Sequence, residues 1–360
     1  MNLTDHISPI TSAIYEQYER IEGAEPARTY LGASQIGKEC ERALWYSFRW
    51  AAKEQFEGRM LRLFQTGHLA EARFVADLRR IGAEVFDVDP ATGKQFGFQD
   101  HGGHMRGHMD GCVRNFPSGG GKWHVTEFKT HSSKSFKTLQ KEGVEKAKPE
   151  HFAQMQWYMG KSGMQRALYL AVNKDTDELY AERIKFDPAE FARIQAKAER
   201  IIFTDTPPPK LSDNPKFWQC NFCTFQKVCH HQQTPAASCR TCCHSTPEPH
   251  GDGRWSCAKD KDKNISSIPI HVQRTGCKLH LTNPNFISFA KPLDAGEDWI
   301  MLERLDTGEQ FAMVNEVATD APLTKFIYTS REVAAGGSHA LICHPAVEDL
   351  KSQFPGATIC

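Results

Sequence analysis

The sequence predicts an α/β fold joined to a cysteine-rich metal module and a small C-terminal β-containing domain. Three observations support this. A long helical stripe (Arg59 to Ile81) leads into short, glycine-broken strand patterns between Glu84 and His131. Most of the twelve cysteines crowd between Cys220 and Cys277. Beyond Thr282 cysteines become sparse and strand-like runs return. At ~150 residues per domain, 360 residues suggest two or three domains. The breaks at Pro207-Pro208-Pro209 and at Gln232 to Ser238 set the expected boundaries at 1–232, 233–282 and 283–360.

Residues 1–30 read as a helix bearing Ile14, Tyr18 and Ile21, then a loop through Pro26. Arg59 to Ile81 has no proline and one glycine, Gly67. After the glycine-broken strands, Lys148 to Gly160 reads as a helix opened by Pro149. Ala167 to Asn173 and Leu179 to Phe186 form a strand pair around Lys174-Asp175-Thr176-Asp177. Asp187, followed by proline, caps a helix running to Phe203. Trp299 to Leu302, Phe311 to Val314 and Phe326 to Thr329 are the later strands.

Composition narrows the class. The chain is 40% hydrophobic and 24% charged, the profile of a soluble globular protein. No run approaches the ~18 apolar residues of a membrane span, and Met1 to Ile10 has neither a basic segment nor an apolar core. A cytoplasmic protein is expected. Net charge is zero, yet residues 283–360 carry net −6 and residues 1–282 net +6. An anionic polymer would meet the first three quarters. Twelve cysteines without a secretion signal point to metal or redox chemistry rather than disulfides.

The chemistry concentrates in Gly107-His108-Met109-Asp110-Gly111 and Glu127-Phe128-Lys129, separated by the turn Ser118-Gly119-Gly120-Gly121. A hairpin folded at that turn sets Asp110 opposite Glu127, and strand alternation puts Glu127 and Lys129 on one face. Two carboxylates beside a lysine suit Mg²⁺ or Mn²⁺, with the lysine able to steady a phosphate oxygen or orient water. On the helix from Arg59, Leu61, Phe64, His68, Glu71, Val75 and Leu78 share a face, so His68 and Glu71 interrupt an apolar stripe. Gln154 and Tyr158 are an i, i+4 pair after Pro149. Taken singly, each feature has an ordinary reading: a solvated Glu-x-Lys strand, a core histidine, a commonplace Gln/Tyr pair.

Their order, Gly-His-x2-Glu, Gly-x2-Asp, Glu-x-Lys, Gln-x3-Tyr, resembles the RecB-type branch of the PD-(D/E)XK nuclease superfamily over residues 30–232. Cys40-x-Arg42-x3-Tyr46 resembles the opening segment of those proteins. The resemblance implies a central mixed sheet flanked by helices. It places the divalent metal on His68 or Glu71 with Asp110 and Glu127, makes Lys129 the catalytic lysine, and sets Gln154 and Tyr158 near the substrate backbone.

Cys220-x2-Cys223-x5-Cys229 is one ligand short of a four-thiolate site. His230 or His231 could complete a zinc knuckle. The iron–sulfur subset of RecB-type nucleases, including those of CRISPR adaptation and AddB-type recombination enzymes, is similar in having one cysteine before the core and a triplet after it. That likeness implies a [4Fe–4S] cluster on Cys40, Cys220, Cys223 and Cys229. Cys239, Cys242, Cys257 and Cys277 make a second, zinc-ribbon-like tetrad, in which His280 or His244 could replace Cys277. Seven lysines between Lys122 and Lys148 offer either a DNA path or a solvated helix surface. Phe136 and Trp157 are either base-stacking or core residues.

The expected function is a Mg²⁺- or Mn²⁺-dependent deoxyribonuclease, an exonuclease of the phage and bacterial type, acting on single-stranded DNA or duplex ends in recombination, repair or phage DNA processing. The competing expectations are a non-catalytic nucleic-acid-binding protein on a nuclease scaffold with zinc modules, and an endonuclease of the same superfamily.

Overall fold

The computed structural model describes residues 8–22, 24–260, 267–322, 324 and 326–337. Cys343 and Cys360 lie outside them. In chain order the elements begin α1 (Pro9–Glu22), β1 (Leu31–Gly32), α2 (Glu41–Phe48), α3 (Gly58–Arg80), β2 (Glu84–Phe86), β3 (Gly97–Asp100), β4 (Met105–His108), β5 (Gly111–Arg114) and β6 (His124–His131). They continue α4 (Ser133–Ala147), α5 (Pro149–Ser162), β7 (Arg166–Asn173), β8 (Leu179–Lys185) and α6 (Pro188–Phe203). The chain divides into two compact units, one of residues 1–39 and 54–202, the other of residues 40–53 and 203–360. No helix among the described residues is long and apolar enough to cross a membrane.

The first unit is a mixed five-stranded sheet in the order β2-β5-β6-β7-β8. All its pairs are antiparallel except β6–β7, whose strands are joined through α4 and α5, as a parallel pair requires a crossover. Nearly every residue of β6 and β7 is buried, whereas β8 alternates as a half-exposed edge strand does. Phe74, Val75 and Leu78 of α3 pack on Val113, Phe128, Leu168, Leu170 and Val172. Phe128 therefore faces α3, and its neighbours Glu127 and Lys129 point to the other side of the sheet. A smaller sheet, β1-β4-β3, has β1 parallel to β4.

One expectation is corrected here and one open alternative is decided. The α3 stripe is buried only in its C-terminal half: Phe64 is 44% exposed and packs edge-on against Phe56, because the first turns of the helix extend beyond the sheet core. Phe136 and Trp157 are fully buried core residues and cannot stack on bases. The lysine-rich segment includes α4, whose Lys134, Lys137, Lys141 and Lys146 are exposed.

The second unit contains α7 (Trp218–Asn221), α8 (Gln226–His230), β9 (Ser245–Pro247), β10 (Trp255–Cys257), α9 (Ile270–Thr275), β11 (Ala290–Ala295), β12 (Trp299–Arg304), β13 (Gln310–Val314), β14 (Ile327–Thr329) and α10 (Ser330–Gly336). It also contains α2, whose Trp45 packs on Phe286 at 4.7 Å and donates to the Thr204 carbonyl at 2.7 Å. β9 and β10 form a hairpin, and β11-β12-β13-β14 form a sheet over Leu281, Ile287, Phe289 and Val333. The Arg240 guanidinium is buried over the rings of Trp50 (3.9 Å), Trp255 (4.8 Å) and Phe48 (5.3 Å) and donates to the Phe48 carbonyl. Burial lowers its pKa to about 9, with Arg49 and Arg274 adding to the fall.

Candidate active site

The hairpin around Ser118 pairs Gly111 with Thr126, Cys112 with Val125 and Val113 with His124. Continuing this register one step sets Asp110 beside Glu127. Asp110 lies just outside β5, and its Oδ2 accepts the backbone N–H of Phe128 at 2.8 Å. Gly111 makes this approach possible: its φ is +148°, and a Cβ there would stand 2.5 Å from the Phe86 carbonyl oxygen. Gly107 serves the same end, since a Cβ would meet Ala33 at 2.6 Å and the Tyr158 hydroxyl at 2.8 Å.

Glu127 is fully buried. Apart from its ion pair with Lys129, neither carboxylate oxygen has a hydrogen-bond partner. Such a group is costly to bury unless a cation completes it. Burial pushes Glu127 up to about 8; Lys129 opposes that rise, and Asp110 and Glu71 add to it. Burial works against the Lys129 ammonium, but Glu127, Asp110 and Glu71 outweigh it and hold its pKa up at about 12. Glu71 is half-buried, its pKa raised by burial and then by Asp110, with His68 and Lys129 opposing. The carboxylates of Glu71, Asp110 and Glu127 thus converge on the Lys129 ammonium. His68 is exposed on α3 at the rim.

These groups border a cleft of about 440 Å³ lined by His68, Glu71, Asp110, Gln154 and Tyr158 together with Arg28, Tyr30 and Arg106. Gln154 and Tyr158 are both buried, and the Tyr158 hydroxyl donates to the His108 carbonyl at 2.6 Å. Arg28, Tyr30 and Arg106 had no signal in the sequence. They reach the cleft because the two-residue strand β1 lies parallel to β4, a pairing no periodicity reveals. Behind Lys129, the Tyr169 hydroxyl meets His131 Nε2 at 2.8 Å and His151 Nδ1 at 2.9 Å, a buried network equally silent in the sequence.

Among the described residues, no three His, Cys, Asp or Glu side chains are arranged to hold a metal ion as they stand. The orphaned oxygens of Glu127, beside two further carboxylates in an open cleft, nonetheless suit a hard divalent cation.

In the second unit, Cys40 caps α2, its Sγ accepting the Ala43 N–H at 3.4 Å. It lies within electrostatic reach of Cys223 and Cys229. Cys220 is likewise near Cys223, and Arg42 bonds to Cys229. Cys239, Cys242, Cys257 and Cys277 gather at a separate place.

A family model described as the PD-(D/E)XK nuclease superfamily matches residues 13–230. A search of curated proteins gives no match. Among solved structures, SSO0001 is 17% identical, with a TM-score of 0.39, covering 62% of this chain and 96% of its own. LHK-Exo in complex with dAMP is 18% identical, with a TM-score of 0.34, over 53% of this chain and 90% of its own. The alkaline exonuclease LHK-Exo from Laribacter hongkongensis gives 18% and 0.34 over 52% and 90%.

Proposed function

The chain belongs to the PD-(D/E)XK nuclease superfamily, and we propose that it is a Mg²⁺- or Mn²⁺-dependent DNA nuclease, acting as an exonuclease in recombination, repair or phage DNA processing. The observation that carries this reading is the convergence of Asp110, Glu127 and Glu71 on Lys129 at a cleft that Arg28 and Arg106 also line. Carboxylates and guanidinium groups lining one cleft fit a phosphodiester backbone bridged to the carboxylates by a cation.

Glu71, Asp110 and Glu127 would hold the cation, with His68 at its margin. The cation, when bound, supplies a Lewis acid for the scissile phosphate and a more acidic water. Lys129, kept protonated by the carboxylates around it, stabilises the charge that develops on the phosphate or holds the attacking water. Gln154 lines the path of the substrate backbone, and Tyr158 fixes the His108 carbonyl beside it.

The cysteines Cys40, Cys220, Cys223 and Cys229 would hold a [4Fe–4S] cluster. Supporting this, Cys40 reaches the triplet across 180 residues of sequence, and the Arg42 guanidinium bonds to Cys229, where positive charge favours a thiolate.

Anaerobically purified full-length protein, assayed on end-labelled single- and double-stranded DNA with Mg²⁺ or Mn²⁺, tests the reading. Asp110→Ala and Lys129→Ala should abolish cleavage while melting as cooperatively as the parent. Near-normal turnover in both would refute it. Iron and sulfide should be present and should be lost alike in Cys40→Ala and Cys223→Ala. Zinc alone at that site would refute the cluster.

A further inference from the structure

We propose that Cys239, Cys242, Cys257 and Cys277 bind a single zinc ion, at a site separate from the nuclease cleft and from the Cys40 cluster. Three chain segments converge there. A 3-10 turn carries Cys239 into Cys242, which bridges to Thr282. The hairpin β9–β10 sets Cys257 opposite Ser245, three residues past Cys242. Helix α9 ends at Gly276, whose φ of +64° turns the chain so that Cys277 follows directly.

The four cysteines line one cavity of about 20 Å³. That is room for one sphere the size of a water, which suits a lone ion and excludes a four-iron cubane. Beside the four cysteines the cavity is lined by His244, Ser245 and His280, and the Nε2 of His244 and the Oγ of Ser245 are buried without a hydrogen-bond partner. The sulfurs do not close on an ion as they stand; burial raises the Cys239 and Cys257 thiols, backbone N–H groups offset part of that rise at Cys257, and the Cys243 thiol and backbone N–H groups favour the thiolate at Cys242. Leu281 donates its N–H to Cys242 Sγ at 3.5 Å, and the N–H of His244 joins it. Lys259 and Asp260 direct theirs at Cys257. N–H donors two and three residues past a cysteine stabilise the charged sulfur that a soft metal needs.

The neighbourhood also selects among the possible ligands. His280 is committed at both ring nitrogens, to Ser330 Oγ at 2.8 Å and to Thr241 Oγ1 at 3.4 Å. Cys243 bonds to Cys242 and His244 and does not line the cavity, whereas Cys277, equally exposed, does. His244 also lines the cavity, its Nε2 buried without a hydrogen-bond partner, but Cys277 already lies within reach of both Cys239 and Cys257, so four sulfurs complete the set. Cys239, by contrast, lies within reach of Cys242, Cys277 and Cys257 together. Four thiolates around one ion favour zinc. β9 and β10 have three residues each, too few to stand as an isolated hairpin, and the ion would cross-link their ends to α9.

The test uses the full chain, expressed with added zinc, stripped of loose metal and measured for bound zinc by plasma emission. One zinc per chain is expected, released on titration of the thiols with a mercurial. It should persist in Cys223→Ser, Cys243→Ser and His244→Ala, and fall to about none in Cys257→Ser and Cys277→Ser. Because those last two variants could lose zinc by unfolding, a second measurement uses the unaltered protein. One equivalent of Co²⁺ added to the zinc-free reduced chain should give thiolate-to-cobalt charge-transfer absorption, displaced by one equivalent of Zn²⁺. Absence of that absorption would overturn the proposal. So would zinc that survives in Cys257→Ser, or zinc lost in Cys223→Ser but retained in Cys277→Ser. None of these outcomes depends on cleavage activity, so the zinc site and the nuclease reading fail separately.

Discussion

Asp110 accepts the backbone N–H of Phe128 at 2.8 Å, one residue beyond the glutamate it stands beside. This bond fixes the aspartate by its shape, and the site uses it by its charge. Asp110→Asn keeps an acceptor oxygen for the Phe128 N–H and removes only the charge. Its melting temperature should stay within a few degrees of the parent, while cleavage falls by about 10²-fold or more. Thermal denaturation and single-turnover cleavage on the same preparation check this.

Glu71 and His68 both line the cleft and share the third metal position in the sequence, and Glu71 is the one expected to hold the cation. Glu71 feels Asp110 and Lys129 directly, whereas His68 is exposed at the rim. Glu71→Gln should weaken divalent-cation dependence far more than His68→Ala. Thinning the carboxylate cluster should also raise the metal-free protein's stability by about 1 kcal/mol, an exchange of function for stability. Activity against Mg²⁺ concentration and calorimetry without metal read the two effects.

His131 and His151 should lower stability as the solution is acidified below about pH 6.5, against an opposite contribution from Glu127 and Glu71, whose raised carboxyls favour the folded state as pH falls. Burial lowers His131 to about 4, with Lys148 and Lys129 adding to the shift. Burial also lowers His151 well below its ordinary value, reinforced by Lys129, His131 and Lys148. In the unfolded chain both take up protons near pH 6.5. Between there and about pH 4 the unfolded state binds more protons, so stability rises with pH, by up to about 1.4 kcal/mol per pH unit for each histidine. The difference in urea midpoint between the parent and the double variant His131→Asn, His151→Asn should show this slope between pH 5 and 7.

Ser330 is buried and bonds to His280 Nδ1, to the Thr282 N–H and to the Thr282 hydroxyl, each at 2.8 Å. Ser330→Ala leaves those partners unsatisfied and should cost about 1–3 kcal/mol. Truncation after Thr282 removes Ser330 together with Phe286 and the sheet over Leu281, so it should leave the second unit unfolded, despite the net −6 that makes residues 283–360 look separable in the sequence. Calorimetry and limited proteolysis of the truncated chain decide this.

The sequence by itself determined the local events. Proline and aspartate placed the starts of α5 and α6, and glycine placed the Ser118 turn. Once that turn was located, alternation and hairpin register brought Asp110 to Glu127, because an antiparallel pair joined by one turn leaves its register little freedom. The motif set around Lys129 was legible for the same reason. Pairings that depend on distant chain were not. β1 reaches β4 across more than seventy residues, and only that pairing brings Arg28 and Arg106 to the cleft. The α3 stripe predicted a buried Phe64, but which turns of a helix lie over a sheet depends on where the sheet ends. His131, Tyr169 and His151 look like ordinary polar residues until the fold closes over them. Spacing proposed the cysteine tetrads, and only the tertiary structure turned His280 toward Ser330 and left Cys277 facing the cavity, because those partners lie on separate segments that the backbone brings together.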